Sequence, residues 1–146
     1  GAHLTREGQA LEGRANLDLK ALNLIADNLV DNARKFSKGA PELVVYTSRV
    51  PAAAPWRRPR WLIEFRDRGW GFDPADSRKI FGRFFRARTV ASHSIPGTGL
   101  GLHIADSASR ALGIKLWGES GGRGPVLARA SALSRCQDTA APLETA

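Results

Sequence analysis

The chain has 146 residues, of which 42% are hydrophobic and 25% charged, and carries a formal charge of +8. That is enough for one well-buried core and too little for two, and it lies far from the composition of chains that stay unfolded. No apolar run reaches the roughly 18 residues that span a bilayer and no signal-peptide layout opens the chain.

Cys136 is the only cysteine, so an internal disulfide and a thiolate metal cluster are both excluded. A reducing, cytoplasmic setting is expected, whether or not a parent protein is membrane-anchored. The positive charge suits a polyphosphate, a nucleic acid or an anionic membrane, and by itself does not choose among them.

In chain order, Leu22, Ile25, Leu29, Ala33 and Phe36 recur three and four residues apart and predict a helix over Leu17–Ser37, capped by Asn16 or Asp18. Leu43–Val50 and Trp61–Arg66 are rich in β-branched and aromatic residues and predict neighbouring antiparallel strands. Between them, Trp56-Arg57-Arg58-Pro59-Arg60-Trp61 reads as a solvated loop rather than a binding patch. Asp67–Pro74 is a glycine-containing turn, Ala75–Phe85 a short helix, and Arg86–Gly97 an irregular stretch suited to a lid.

A second long helix is expected over Gly99–Leu112, ended by Gly113 in a left-handed cap. Ile114–Trp117 and Val126–Leu133 then form a closing strand pair around a turn with Gly121, Gly122 and Gly124. The apolar pattern fades after Ser134, which sets a folded domain at 1–133 and a frayed tail at 134–146.

Three segments carry chemistry. Asn28, Asn32 and Lys35, four and three apart, fall on one face of the first helix beside its apolar stripe. An Asn carbonyl is a hard oxygen ligand for Mg²⁺ and Lys neutralises phosphate, although such a row also suits a solvated face. Asp67-Arg68-Gly69-Trp70-Gly71-Phe72 directly follows a strand, so Asp67 is either a turn initiator or a carboxylate placed to accept from an exocyclic amine such as that of adenine. Gly97-Thr98-Gly99-Leu100-Gly101-Leu102 leads into the second helix, where free N–H groups and the dipole attract phosphate; the alternative is a plain hinge. It is neither a P-loop nor a dinucleotide fingerprint.

Taken in order, Asn28-Leu29-Val30-Asp31-Asn32-Ala33-Arg34-Lys35-Phe36-Ser37, Asp67-x-Gly-x-Gly, Ile80-Phe81-Gly82-Arg83-Phe84-Phe85-Arg86 and Gly97-Thr-Gly-Leu-Gly-Leu resemble the N, G1, F and G2 boxes of histidine kinase catalytic domains. The resemblance covers about Leu17–Leu133 and lies within the GHKL superfamily, with gyrase-type ATPases and heat-shock chaperones. It implies a Bergerat-type two-layer α/β sandwich: a mixed, mostly antiparallel sheet with helices on one face.

It also implies ATP and Mg²⁺ as ligands and γ-phosphoryl transfer to a histidine on a separate domain, with a response regulator downstream, no nucleic acid partner, and a monomeric isolated domain. By motif position, Asn32 resembles the Mg²⁺ ligand and Asn28 and Lys35 the phosphate contacts. Phe36 resembles a pocket wall, Phe72 falls among the ATP-binding residues, and Asp67 resembles the adenine-reading carboxylate, with Gly69 and Gly71 giving the base room. Arg86 resembles the lid arginine that meets the γ-phosphate, Phe81 and Phe84 resemble lid packing, and Gly97, Thr98, Gly99, Leu100, Gly101 and Leu102 the hinge and phosphate-facing turn.

Where hydrolysing relatives carry a catalytic Glu, this sequence has Asn28, whose amide cannot take a proton from water. The resemblance therefore implies transfer rather than hydrolysis; binding without transfer, or a serine kinase of the anti-sigma type, are the alternatives. Trp70 is a large residue for the G1 turn, and Leu112-Gly113 stands where two glycines are frequent in the family. None of His3, His93 and His103 lies in an acceptor-histidine motif; His93 reads as a solvent-exposed lid residue and His103 as a helix residue near the hinge.

Overall fold

The computed structural model describes residues 3–8, 18–57, 59–88, 91, 93–120 and 126–132. The first helix, α1, spans Leu19–Lys35 and is capped by Asp18, whose carboxylate accepts from the N–H groups of Lys20 and Ala21 at 2.8 and 3.4 Å. Its buried residues Ile25, Leu29 and Ala33 are three of the five in the expected stripe. The helix ends after Lys35 because Ser37 leaves the helical path and bridges to Gly69.

Five strands form one sheet: β1 (His3–Gly8), β2 (Glu42–Val50), β3 (Arg60–Asp67), β4 (Ile114–Ser120) and β5 (Val126–Ala132), in the order β1-β2-β3-β5-β4. The pairs β2/β3, β3/β5 and β4/β5 are antiparallel and β1/β2 is parallel. The β2/β3 and β4/β5 pairings follow the sequence reading, and β4 runs three residues beyond the expected end at Trp117.

The sequence pattern missed β1. His-Leu-Thr-Arg-Glu-Gly has one large apolar residue, Leu4, which is largely exposed; the strand joins by backbone pairing along an edge.

The second helix, α2, spans Gly101–Ala111 and stops at Gly113, whose φ of 68° is the left-handed cap expected there. Fully buried Ala105 and Ser109 are small enough to let α2 lie close against α1, and Ser109 returns its hydroxyl to the Asp106 carbonyl at 2.8 Å. Ile25 and Leu29 of α1, Ala105 of α2, and Ile114 and Leu116 of β4 make the main core, with Phe65 of β3 packed against it. Both helices therefore cover the same face of the sheet, the face that strand register assigns to Leu43, Phe65, Asp67, Leu116 and Gly118.

The expected short helix over Ala75–Phe85 does not form. Two 3₁₀ turns replace it, Pro74–Asp76 and Lys79–Phe81. Asp73 accepts from Ala75 N–H at 2.9 Å to start the first, while an extended Gly82 and a positive φ of 60° at Phe84 end the second. Of the described residues in Arg86–Gly97, Arg86, Ala87 and 93–97 are irregular as expected, whereas Arg88 and Ala91 are helical and Ala91 N–H bonds the Ala87 carbonyl at 3.0 Å. Leu17 and Asn16 at the helix start, the Gly121–Gly124 turn, Leu133 and the 134–146 tail lie outside the described residues. Among the described residues no helix is long and apolar enough to cross a membrane.

Candidate functional site

Between α1, α2, the end of β3 and the 81–102 segment lies one cleft of about 360 Å³, within the range of small-molecule sites. Fourteen of the fifteen residues expected at the site line it: Asn28, Asn32, Lys35, Phe36, Asp67, Gly71, Phe72, Arg86 and the six residues Gly97 to Leu102. Segments far apart in sequence thus converge on one space.

Gly69 is the exception, because it is packed behind the wall. Its N–H donates to Asp67 Oδ1 at 2.7 Å, and a Cβ there would stand 2.7 Å from the Phe36 carbonyl oxygen. Gly69 thus seats the turn against the end of α1, and Trp70 N–H completes the join by donating to the same carbonyl at 3.0 Å. The space expected from two glycines comes from buried Gly71 alone, at φ 70°.

One end of the cleft is polar. Asn28 Nδ2 donates to the Leu24 carbonyl at 2.7 Å, which leaves its amide oxygen turned toward the start of α2. A Cβ on Gly101 would stand 3.0 Å from Asn28 Oδ1 and 3.7 Å from Asn32 Oδ1, so both amide oxygens meet the first turn of that helix. No side chain caps α2, and its first N–H groups and positive dipole end are presented beside the two amides.

Lys35 is ion-paired with Asp31 one turn back, both roughly half exposed. Such a pair contributes about 0.3–0.5 kcal/mol, so the ammonium can turn to a phosphate at little cost. Arg86 lines the cleft and donates to the Ile95 carbonyl, tying the two ends of the lid segment together.

The other end is apolar. Phe72, Ile80 and Ala87 are buried, with Phe36, Phe81, Phe85, Ile95 and Leu102 packed on them, and Phe72 N–H is held by Ser120 Oγ at 3.1 Å. Gly118 of β4 forms part of the floor: a Cβ there would fall 2.6 Å from Ile80 Cδ1 and 3.4 Å from Phe72 Cζ. Sequence reading missed Gly118, Leu43 and Phe65, since a glycine or an apolar residue in a strand carries no signal of what it faces.

The lid segment is stitched at its base. Phe84 N–H donates to the Gly99 carbonyl at 3.0 Å, and Gly99, at φ 71°, leaves no room for a Cβ beside Phe84. Phe81 packs into both apolar clusters as expected, but Phe84 is 64% exposed and its ring meets the Arg83 guanidinium, 5.5 Å from its centroid, instead of the apolar clusters. His103 Nδ1 lies 3.2 Å from the Phe81 carbonyl, which can only accept, so that nitrogen carries the proton. His93 is exposed, as the sequence suggested, yet its ring stacks on Trp70 with centroids 3.8 Å apart, and Lys38 sits over the same indole at 4.8 Å. Trp70 is thus turned away from the turn's interior, toward the lid segment.

Among the described residues no group of three or more His, Cys, Asp or Glu assembles.

The geometry defines an α/β domain with a nucleotide-sized cleft between two helices, polar at the helix start and apolar at the strand end. The family model of histidine kinase-, DNA gyrase B- and HSP90-like ATPases matches residues 17–128, and the chain belongs to that family. It is 31% identical over 104 residues to sensor histidine kinase WalK of Bacillus subtilis (strain 168), covering 71% of this chain and 16% of that protein. Sensor protein kinase WalK of Staphylococcus aureus is 29% identical over 103 residues, 70% of this chain and 24% of that one. The chain thus spans a quarter or less of the length of these relatives.

Its fold is similar to that of the mycobacterial sensor histidine kinase MprB, with TM-score 0.71 and 22% identity over 91% of this chain and 83% of the other. Full-length ShkA in complex with AMPPNP superimposes with TM-score 0.67 and 23% identity over 90% and 25% of the two chains. The catalytic domain of histidine kinase ThkA gives TM-score 0.63 and 20% identity over 88% and 78%.

Proposed function

We infer that this chain is the catalytic domain of a two-component sensor histidine kinase, with a Bergerat-type sandwich that binds Mg·ATP and presents the γ-phosphoryl group to a histidine on a separate domain. The observation that carries this reading is the meeting of the Asn28 and Asn32 amide oxygens with the uncapped start of α2, in the same cleft that Asp67 lines. The sensor kinases among its relatives and the AMPPNP bound to ShkA support the same assignment.

In this reading Asp67 accepts from the exocyclic amine of adenine, while Phe36, Phe72 and Gly71 shape the slot for the base. Asn32 is the Mg²⁺ ligand from the protein, and the cation supplies charge neutralisation of the triphosphate. Asn28 and Lys35 hold phosphate oxygens, the first N–H groups of α2 add neutral donors, and Arg86 brings a guanidinium to the γ-phosphate side, where charge builds during transfer. Asn28 holds its position without acting as a base, so water is not activated and the phosphoryl group remains for an acceptor. The domain acts in the cytoplasm with a response regulator downstream.

The test is calorimetric titration of ATP with and without Mg²⁺. Asp67→Asn removes a charged acceptor yet keeps an oxygen for the Gly69 N–H, so affinity falls about 10- to 100-fold, the equivalent of a charge-assisted bond of ~1.5–3 kcal/mol. Asn32→Ala abolishes the gain in affinity from Mg²⁺. Wild-type affinity in both variants refutes the site. Incubation with a phosphoacceptor domain and labelled ATP then separates transfer from mere binding, and an acid-labile product identifies histidine rather than serine as the acceptor.

A further inference from the structure

At the pole of the sheet opposite the cleft, the β2–β3 connection collects aromatic and cationic side chains that the nucleotide site does not use. Strand β3 runs from Arg60 at this pole to Asp67 at the cleft, a distance of about 23 Å at ~3.3 Å per residue. The connection turns through an Arg57 N–H to Ala54 carbonyl bond of 2.9 Å, and beyond the turn Val50 pairs with Arg60 and Arg49 with Trp61. Trp56, at the turn, is 83% exposed, the most exposed of the large hydrophobic residues among those described.

Three features of this pole are informative together. First, the seven residues Val50-Pro-Ala-Ala-Ala-Pro-Trp56 contain no side chain with a charge, hydroxyl or amide, so the tip offers an apolar surface with an indole at its end. Second, Arg49, Arg57 and Arg60 border that tip and are exposed, and no acidic residue occurs from Thr47 to Ile63 to neutralise them. Third, the strands flanking this end contribute no carboxylate in register: Gly8 of β1 lies beside Thr47, and Ala132 of β5 and Ile114 of β4 continue the row from Trp61. Among the described residues, the cationic collar around this apolar tip thus meets no carboxylate in register.

We propose that this pole is a docking surface for an anionic lipid bilayer, with Trp56 and the Pro/Ala tip entering the headgroup region and Arg49, Arg57 and Arg60 meeting lipid phosphates. An indole prefers the interface, where its ring is in apolar surroundings and its N–H stays wet, and guanidinium groups pair with phosphate oxygens in forked geometry. A nucleic acid fits less well. Reading or tracking one needs polar donors among the bases or a basic groove, whereas this tip is a convex run of prolines, alanines and a tryptophan. Because the cleft faces the other way, docking leaves the nucleotide site accessible. One small hydrophobic tip with three arginines gives weak, reversible binding that falls steeply with salt.

The experiment is co-sedimentation of the whole 146-residue chain with vesicles of pure phosphatidylcholine and with vesicles containing about one third phosphatidylglycerol, at low and high salt. The expected result is binding to the anionic vesicles only, lost at high salt. Arg57→Glu removes two charge units and lowers binding by about tenfold or more, given the roughly fivefold that each basic residue contributes near such a surface. Trp56→Ser lowers it several-fold with the charge unchanged, whereas Arg78→Glu, an equal charge change on the Pro74–Phe81 segment, has the smaller effect. Absence of binding by the parent chain, or equal losses in Arg57→Glu and Arg78→Glu, overturns the proposal. So does tighter binding to duplex or single-stranded DNA in a parallel gel shift, which would reassign the pole to nucleic acid. Unchanged melting temperatures of the variants show that lost binding is not lost folding.

Discussion

Replacing Gly101 by Ala separates the fold from the site, because the two respond in opposite directions. As the first residue of α2, position 101 favours alanine for the helix by up to ~1 kcal/mol, since glycine loses more backbone freedom on folding. The added Cβ, however, would stand 3.0 Å from Asn28 Oδ1, closer than ordinary van der Waals contact, and 3.7 Å from Asn32 Oδ1. Asn28 cannot retreat freely, since its amide nitrogen donates to the Leu24 carbonyl at 2.7 Å. Turning it away costs that hydrogen bond, about 1 kcal/mol, and any contact the same amide makes to a phosphate.

The expected outcome for Gly101→Ala is an unchanged or slightly raised melting temperature, by up to about 2–4 °C. Mg·ATP affinity falls by about tenfold, or ~1.4 kcal/mol. Thermal unfolding without nucleotide measures the first and calorimetric titration the second. Affinity within twofold of the parent refutes the placement of the triphosphate between Asn28 and the start of α2. A fall in stability that parallels the loss of affinity refutes the claim that the contact is local.

Two further outcomes follow from the same geometry. Gly118→Val overpacks the floor against Ile80 and Phe72, so denaturant unfolding should register a loss of about 1–3 kcal/mol together with lost nucleotide binding; a variant as stable as the parent would show that the floor yields. Trp70→Ala removes the stack with His93 and the Lys38 contact, worth roughly 1–2 kcal/mol together. Hydrogen exchange should quicken at residues 93–95 while global stability barely changes, and unchanged exchange there would mean that the indole does not restrain the lid segment.

Local rules carried the sequence reading a long way. A three- and four-residue apolar repeat from Leu22 to Phe36 can be buried only as a helix, and a glycine at 113 marks its partner's end because few other residues take a left-handed cap without strain. The ordered boxes from Asn28 to Leu102 placed fourteen residues that line the cleft, since each box is a contiguous segment whose side chains share one local frame.

Where the reading failed, the missing information was not local. The edge strand at His3–Gly8 has no apolar face to betray it, and a stretch that looked helical at Ala75–Phe85 breaks into 3₁₀ turns because Gly82 and the positive φ of Phe84 suit the join to Gly99.

Chain order alone thus determined both long helices, four of the five described strands and which residues have the chemistry to meet a nucleotide. Tertiary structure decided the rest: that β5 lies between β3 and β4, that Gly118 becomes a floor and Gly69 a spacer, and that the oxygens of Asn28 and Asn32 turn to Gly101. Periodicity and turn chemistry act over a few residues, whereas the direction of an amide or the neighbour of a glycine is fixed by packing between distant segments, Asn28 and Gly101 being 73 residues apart.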